Sequence, residues 1–230
     1  MNVYEIKLKV CLLKNIKYES SLEIMSSYLD FSLCKNEKFL SEHKEKKYKH
    51  YNFNYLYPIE NDKVYKKDKL YTITIRTIDQ EVAEYLLNST CNHSDENIKG
   101  IRSELKVIPK KYIEKIYSIT PVLIKDKEGY WRKKNNIDFF EKRLKENVVK
   151  KYKYISNNKE IELSDFYNEI KFKNYKPIKT SFKNINLLGD KVELSIESDL
   201  KSQELAYMIL GMGLLENNSR GMGFVNFKHL

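Results

Sequence analysis

The glycines of this 230-residue chain are concentrated near its end, and their position constrains the fold there. Four of the seven fall within residues 211–223, GMGLLENNSRGMG. An apolar run, LAYMIL, precedes this segment and FVNF follows it. Because glycine allows positive φ and a close approach of the backbone to other groups, the pattern predicts a helix, a wide loop bracketed by glycines and a last strand.

The same loop has the composition of an anion-binding segment. Successive exposed N–H groups can form an anion-binding concavity, and an arginine can donate two hydrogen bonds to one phosphate. We therefore predict that the loop contacts a phosphate backbone; the alternative is a flexible connection between a helix and a strand. The predicted contact residues are Gly211, Gly213, Asn218, Ser219, Arg220, Gly221 and Gly223.

The overall charge also favours a polyanionic partner. Lysine and arginine number 42 against 32 acidic residues, which gives a formal net charge of +10. Cations bind nucleic acid by releasing counterions from phosphate, and the 18 tyrosines add candidate platforms for stacking unpaired bases. A lysine-rich composition can equally reflect a genome rich in A and T, and most tyrosines serve as ordinary core residues.

Cysteine usage and hydropathy predict a reduced, cytoplasmic protein. Cys11, Cys34 and Cys91 show no CxxC spacing, so we expect neither a zinc site nor a disulfide framework. The first ten residues, MNVYEIKLKV, alternate and do not read as a signal peptide. No run of eighteen apolar residues occurs, so we expect no membrane span.

The first half of the sequence predicts the element order β α β β α β. Residues 4–10 alternate between apolar and charged side chains, and LYTITIRT at 70–77 is the strongest strand signal. A helix over residues 22–32 and a strand at YNFNYLYP, which stops at Pro58, precede that segment. A shorter helix in VAEYLL and a last strand at 98–108 follow it. This order is that of a ferredoxin-like fold.

The second half repeats this order less clearly. Residues 136–152 predict a long amphipathic helix, and strand-like segments occur at 112–124, 168–187 and 191–195. We therefore predict an α+β chain of two tandem ferredoxin-like domains. The expected domains are residues 1–110 and residues 111–230, and the second contains the glycine-rich loop.

Three helix starts carry capping signals. Ser20 or Ser21 can cap the first helix, residues 77–80 resemble a capping box for the second, and Asp199 can cap the last.

Histidine is scarce, and its positions limit the candidate chemistry. Of the four, His43 and His50 lie in the lysine-rich segment 36–50, which predicts a loop or a short exposed helix; His93 lies in a polar turn and His229 next to the terminus. A basic protein of this kind could cleave RNA by attack of a 2′-hydroxyl on the adjacent phosphate, which needs an acid, a base and a cation. That route needs no metal, and we expect no metal or other cofactor.

Several segments together resemble the CRISPR-associated endoribonucleases that cut precursor CRISPR RNA within its repeats, members of the RAMP superfamily. The resemblance is carried by GMGLLENNSRGMGFV, SITPVLI at 118–124, the following GYW, FFEKRLKENVVKKY, YNFNYLYP and LYTITIRTID. It covers nearly the whole chain. It implies two ferredoxin-like folds and metal-independent cleavage that leaves 2′,3′-cyclic phosphate and 5′-hydroxyl ends.

The resemblance also implies catalytic residues. Family members commonly place a histidine after the first helix, and some add a tyrosine from that helix and a lysine a few residues on. His43 fits the histidine, with Tyr28 as its partner at the 2′-hydroxyl and Lys49 as the cation for the pentavalent phosphate. His50 is a rival to His43, and Tyr28 could instead be a core residue. Lys44, Lys46 and Lys47 are alternatives to Lys49.

The implied partner is CRISPR repeat RNA, as precursor and as mature crRNA. Lysines of residues 141–153 and 106–115 are candidates for the rest of the RNA path. Other CRISPR effector subunits are candidate partners, and the expected state is a monomer or homodimer. Two alternatives are a catalytically silent RNA-binding subunit and a nonspecific single-strand binder.

Overall fold

The structure, a computed structural model, describes residues 1–44, 49–127, 129–156, 165–183 and 185–230, excepting the side chains of residues 42–44. The elements of the first half, in chain order, are β1 (Tyr4–Leu12), β2 (Ile16–Lys17), α1 (Tyr18–Leu33), α2 (Glu37–Lys44), β3 (Tyr51–Phe53), β4 (Val64–Tyr65), β5 (Leu70–Thr77), α3 (Gln80–Cys91) and β6 (Ile98–Val107). Those of the second half are β7 (Ile113–Ser118), α4 (Ile137–Ser156), β8 (Tyr167–Phe172), β9 (Ile178–Phe182), β10 (Ile185–Gly189), β11 (Val192–Ile196), α5 (Leu200–Met212) and β12 (Val225–His229). Short 3-10 turns occupy Trp131–Lys133 and Asn218–Arg220.

The first half forms a four-stranded antiparallel sheet in the order β3-β5-β1-β6. The central strand β1 alternates because one face packs on the helices: Ile6, Leu8 and Val10 have no exposed surface. Helices α1 and α3 supply the other side of this core, with Leu22, Met25 and Leu29 buried as their spacing predicts.

The second half repeats this topology. Its sheet has the order β12-β7-β11-β8, and α4 and α5 contribute to its core. Between β8 and β11 an additional hairpin, β9–β10, extends from the sheet, and β9 contacts α1 of the first half. The prediction of two tandem ferredoxin-like folds is confirmed. Strand β6 ends at Val107 and β7 begins at Ile113, on either side of the expected boundary, and the division into domains at 110/111 stays a prediction.

Buried polar contacts join the two halves. The Arg76 guanidinium binds Glu5 in its own sheet and donates to the Val225 carbonyl at 2.6 Å and to the Asn226 side chain at 3.0 Å. The fully buried Asn52 amide donates to the carbonyl oxygen of Gly211 at 2.5 Å. Each contact satisfies a group that would be costly to bury alone, so together they fix how the halves meet.

One of the three capping predictions is confirmed and two are wrong. Asp199 caps α5 by accepting from the N–H groups of Lys201 and Ser202. Helix α1 begins earlier than expected, at Tyr18, and the Ser21 hydroxyl donates back to the Tyr18 carbonyl instead of capping. Helix α3 is capped by Asp79, because its carboxylate reaches the N–H groups of Glu81 and Val82.

Two predicted strands are shorter than expected. The regular strand in YNFNYLYP ends at Phe53, with one further bridge between Tyr57 and Thr72, and the strand predicted for residues 112–124 ends at Ser118. None of the helices in the described ranges has the length and apolar character needed to cross a membrane.

Candidate nucleic-acid interface

The glycine-rich segment is a hydrogen-bonded loop at the junction of the two halves. Helix α5 continues through Gly211 to Met212, so the loop starts at Gly213 and not at Gly211 as expected. Gly213, Gly221 and Gly223 have φ of 73°, 80° and 68°. A Cβ on Gly221 would lie 2.8 Å from side-chain atoms of Leu22 and Phe53. These glycines therefore let the loop turn and pack against the first half.

A buried lysine of α4 holds the loop by hydrogen bonds to its oxygen atoms. Lys151 of α4 is 1% exposed, and its ammonium donates to the Gly213 and Leu215 carbonyls, each at 2.8 Å, and to the Asn218 Oδ1 at 2.7 Å. Burial lowers the pKa of Lys151 from its ordinary 10.5 to about 7, and the Glu216 carboxylate opposes that change. The ammonium thus joins three oxygens that would otherwise be buried without a donor.

Asn218 completes this internal network. It is 8% exposed, and its Nδ2 donates to the carbonyls of Leu214 and Met222 at 2.9 Å each. Its side chain is therefore fully used in shaping the loop.

Most backbone N–H groups of the loop donate to carbonyls inside the protein. Few of them therefore remain to bind the phosphate that the sequence predicted. The N–H groups of Gly213, Arg220, Gly221 and Gly223 all donate to protein carbonyls. The Ser219 carbonyl accepts from Ser26 of α1 at 3.2 Å. The loop presents to solvent an outer edge formed by Glu216, Asn217, Ser219 and Arg220.

Two adjoining cavities meet at this edge and form one groove. The larger, about 750 Å³, lies between the loop and α4 and is lined by Lys49, Lys125, Asn147, Lys150 and residues 215–220. The smaller, about 410 Å³, lies between α1 and the β9–β10 hairpin. It is lined by Glu23, Ser26, Ser27, Asp30, Phe31, Lys49, Phe182, Lys183, Ser219 and Arg220. Lys49, Ser219 and Arg220 belong to both cavities and mark where they join.

Arg220 is held in an orientation suited to an anion. Its guanidinium lies 4.3 Å from the centroid of the Phe182 ring, a cation–π contact that restrains the side chain without using its N–H donors. The planar guanidinium can then bind one phosphate through two N–H groups.

Lys49 is positioned by a carboxylate and a tyrosine. Its ammonium lies 2.8 Å from Asp30 Oδ1, and the Tyr51 hydroxyl donates to the same oxygen at 3.0 Å. Burial, with Asp30 second, raises the pKa of Tyr51 well above its usual range, so that hydroxyl stays protonated and remains a donor. The structure therefore brings Lys49 and Arg220, two predicted site residues, to one groove.

Tyr28 lies elsewhere. It has no exposed surface, and its hydroxyl donates to the carbonyls of Thr90 at 2.6 Å and His93 at 3.0 Å. Burial raises the pKa of this phenol well above its usual range. Tyr28 thus joins α1 to the end of α3 and is not brought to the groove.

Of the two histidine candidates, only His50 has a described side chain. His43 lies in the last turn of α2, and its side chain is outside the described part of the chain. His50 Nδ1 lies 3.5 Å from Asp79 Oδ2, and its ring meets that of Tyr154 edge-on at 5.4 Å. The hydrogen bond from His50 is the largest cause of a lowered pKa at Asp79. Lys44 has only its backbone described, and Lys46 and Lys47 lie outside the described residues.

Sequence reasoning missed several residues of the groove. Asp30, Phe31, Lys125 and Lys183 carry no motif that singles them out, whereas Lys150 belongs to the helix whose lysines were expected on the RNA path. Among the residues that the structure describes, no three His, Cys, Asp or Glu side chains gather as ligands for a metal ion.

Comparisons with known proteins show which family this fold and groove belong to. Residues 103–227 match the family described as CRISPR associated protein Cas6, C-terminal. Solved structures of similar fold include one of a CRISPR associated protein Cas6, with a TM-score of 0.72 and 20% identity over 99% of this chain and 100% of that one. Another is described as an RAMP protein binding different RNA substrates, with a TM-score of 0.70 and 13% identity over 98% of this chain and 100% of that one.

A similar protein of known name supports the same family. The CRISPR-associated endoribonuclease Cas6 2 of Methanocaldococcus jannaschii is 28% identical in an alignment 214 residues long, which covers 85% of this chain and 88% of the relative. Since the family match spans more than half of the chain, the chain belongs to the Cas6 family. It is thus a homologue of CRISPR endoribonucleases, and the resemblance inferred from its motifs is confirmed.

Proposed function

We propose that this protein is a metal-independent endoribonuclease that cuts precursor CRISPR RNA within its repeats. The observation that carries the proposal is the groove shared by both halves, where Lys49, Arg220 and Lys150 line connected cavities beside the glycine-rich loop. A strand of RNA brings closely spaced phosphates, and a groove lined by several cations suits such a backbone. The relative named as an endoribonuclease and the neighbour described as binding different RNA substrates support this reading.

The reaction balances without a water molecule. The 2′-oxygen attacks the adjacent phosphorus, the bond from phosphorus to the 5′-oxygen breaks, and 2′,3′-cyclic phosphate and 5′-hydroxyl ends result. A base takes the 2′ proton and an acid gives one to the leaving 5′-oxygen. A cation at the phosphate stabilises the negative charge that grows on its oxygens.

Lys49 is the residue we assign to that charge, because it lies where the two cavities join and Asp30 and Tyr51 fix its position. We keep His43 as the acid or base and His50 as its rival. His50 would have to exchange its contact with Asp79 for one with the RNA. Tyr28 leaves the catalytic set, since a buried hydroxyl bonded to two carbonyls cannot reach a 2′-hydroxyl.

The assay that tests this uses labelled repeat RNA from the same genome in excess EDTA. We expect a single cut, lost when the nucleotide at the cut site is 2′-deoxy. Lys49→Ala and His43→Ala each slow the cut about 100-fold or more while binding persists. Lys99→Ala is the matched control, since Lys99 is an exposed lysine of β6 outside both cavities, and it should leave the rate unchanged.

The results separate the candidates. Cutting that survives in His43→Ala but stops in His50→Ala would transfer the role to His50. Cutting that requires a divalent ion, or that proceeds on the 2′-deoxy substrate, would refute the mechanism.

A second candidate function is a silent RNA-binding subunit of an effector complex. The burial of Tyr28 favours it, because one of the three expected catalytic side chains is absent from the groove. Tight, repeat-selective binding by the unmutated protein with no cut at any pH between 6 and 9 would establish it. Equal affinity for repeat and scrambled RNA would instead indicate a nonspecific single-strand binder.

A further inference from the structure

One large apolar side chain lies on the outer face of α1, where packing does not explain it. Glu23, Ser27 and Phe31 are four residues apart and so form one row along this helix. Ser27 is exposed, and Phe31 is 67% exposed. The opposite face of the helix supplies its core contacts, through residues such as Met25 and Leu29. A polar side chain at position 31 would serve the fold equally well.

The surroundings of Phe31 combine three cations and a second aromatic ring with the carboxylates of Glu23 and Asp30. It lines the smaller cavity together with Lys49, Lys183 and Arg220. The same cavity contains Phe182, whose ring already has the Arg220 guanidinium stacked on it at 4.3 Å. The Lys183 N–H donates to the Glu23 carboxylate at 2.8 Å, which fastens the tip of the hairpin to α1 and fixes this wall of the cavity.

An exposed aromatic ring beside several cations matches a ligand with a flat apolar part and an attached anion. An unpaired nucleotide has that chemistry: its base can stack on the ring while its phosphates reach the cations. A paired base has both faces covered by its neighbours in the helix and cannot stack in this way.

We propose that Phe31 is a base-stacking residue that binds an unpaired nucleotide of the RNA next to the phosphates bound by Lys49 and Arg220. This inference rests on the proposed function of the groove. It adds a specificity element, because a substrate fully paired at that position would lose the contact. Stacking tolerates different bases, so Phe31 selects for an unpaired base and not for its identity.

The test uses the full chain and repeat RNA made uncleavable by a 2′-deoxy at the cut site, with 2-aminopurine placed at each unpaired position in turn. Stacking quenches the fluorescence of 2-aminopurine. We expect one position near the cut to be quenched on binding, and Phe31→Ala to abolish that quenching and weaken the affinity about 5- to 150-fold. Phe31→Tyr keeps a ring and should retain both signals, whereas Phe31→Leu keeps apolar bulk without a ring and should lose them.

Tyr175→Ala is the matched control, since Tyr175 is an aromatic side chain 97% exposed outside both cavities, and it should bind like the unmutated protein. Arg220→Ala is run in parallel to separate two failures. If Arg220→Ala weakens binding and Phe31→Ala does not, the groove binds RNA and the stacking proposal falls alone. If neither variant weakens binding, both the groove and the stacking proposal fall. If Phe31→Ala changes only the sedimentation of the RNA-free protein, Phe31 lies at a protein contact and the proposal is overturned.

Discussion

Replacing Lys151 with methionine tests whether a buried ammonium shapes the glycine-rich loop. The ammonium donates to the Gly213 and Leu215 carbonyls and to Asn218 Oδ1, and the side chain is 1% exposed. Burial lowers its pKa from 10.5 to about 7 in the folded protein. Between these two pH values the unfolded chain binds a proton that the folded chain does not. The free energy of unfolding contributed by this group therefore rises with pH in that window and is constant below it.

The size of the effect follows from these two pKa values. Raising the pH from 7 to 9 deprotonates Lys151 in the folded protein and leaves it protonated in the unfolded chain. The free energy of unfolding then gains about 2 kcal/mol from this group. Methionine removes that pH dependence entirely. It also leaves three oxygens without their donor, at a cost of about 1–3 kcal/mol for each one that stays buried.

The assay is urea unfolding of both proteins at pH 6, 7, 8 and 9. The quantity to follow is the difference in unfolding free energy between the unmutated protein and Lys151→Met, because groups common to both cancel. We expect this difference to shift by about 2 kcal/mol in favour of the unmutated protein between pH 7 and 9. Lys150→Met, at an exposed neighbour on the same helix, should track the unmutated protein. If the difference in unfolding free energy between the unmutated protein and Lys151→Met does not change with pH, the pKa of Lys151 is not lowered and the reasoning is refuted.

Three further predictions concern single residues. Arg220→Ala should weaken RNA binding and reduce the slope of log affinity against log salt by about 0.7, because one phosphate contact is lost; an unchanged slope measured by filter binding would remove Arg220 from the RNA path. Tyr28→Phe should destabilise the fold by about 0.5–1.5 kcal/mol, since the carbonyls of Thr90 and His93 lose the phenol but keep backbone N–H donors, while the rate of RNA cleavage stays the same; a stable but inactive variant would return Tyr28 to the catalytic set. Asp79→Ala should cost about 1 kcal/mol at pH 7 through the lost helix cap. The loss should shrink as pH falls through the lowered pKa of Asp79, because the folded carboxyl then protonates too; thermal unfolding that is equally affected at pH 3 and pH 7 would contradict this.

Periodicity was sufficient to predict the fold of this chain because both sheets have one buried face. The alternation in residues 70–77 and the stripe through Leu22, Met25 and Leu29 correspond directly to the buried positions of β5 and α1. Helix caps were harder, because several side chains near a helix start can serve: Asp79 caps α3 although residues 77–80 match a capping box.

The candidate site was only partly predictable, because spacing along a helix does not say which polar group meets which partner. Tyr28 follows the buried stripe of α1, and only the structure distinguishes its core-facing hydroxyl from one directed at substrate. The burial of Lys151 could have been predicted from the sequence. It falls three residues after Val148 on the apolar stripe of α4, where a buried lysine requires several acceptors. Nothing in the sequence singles out Phe31, because single exposed apolar residues are common.

The buried hydrogen bond between Asn52 and Gly211 has a consequence for the accuracy of cutting. Under the proposed function, Lys49 belongs to one half of the chain and Arg220 to the other, so the span between them is set where the halves meet. A nuclease of this design selects the bond to be cut by a fixed length, measured from the phosphate at Arg220 to the one at Lys49. A change in the dry interior at Asn52 would then alter where the RNA is cut before it alters how fast, and errors of one nucleotide in the product would report on a residue that never touches RNA.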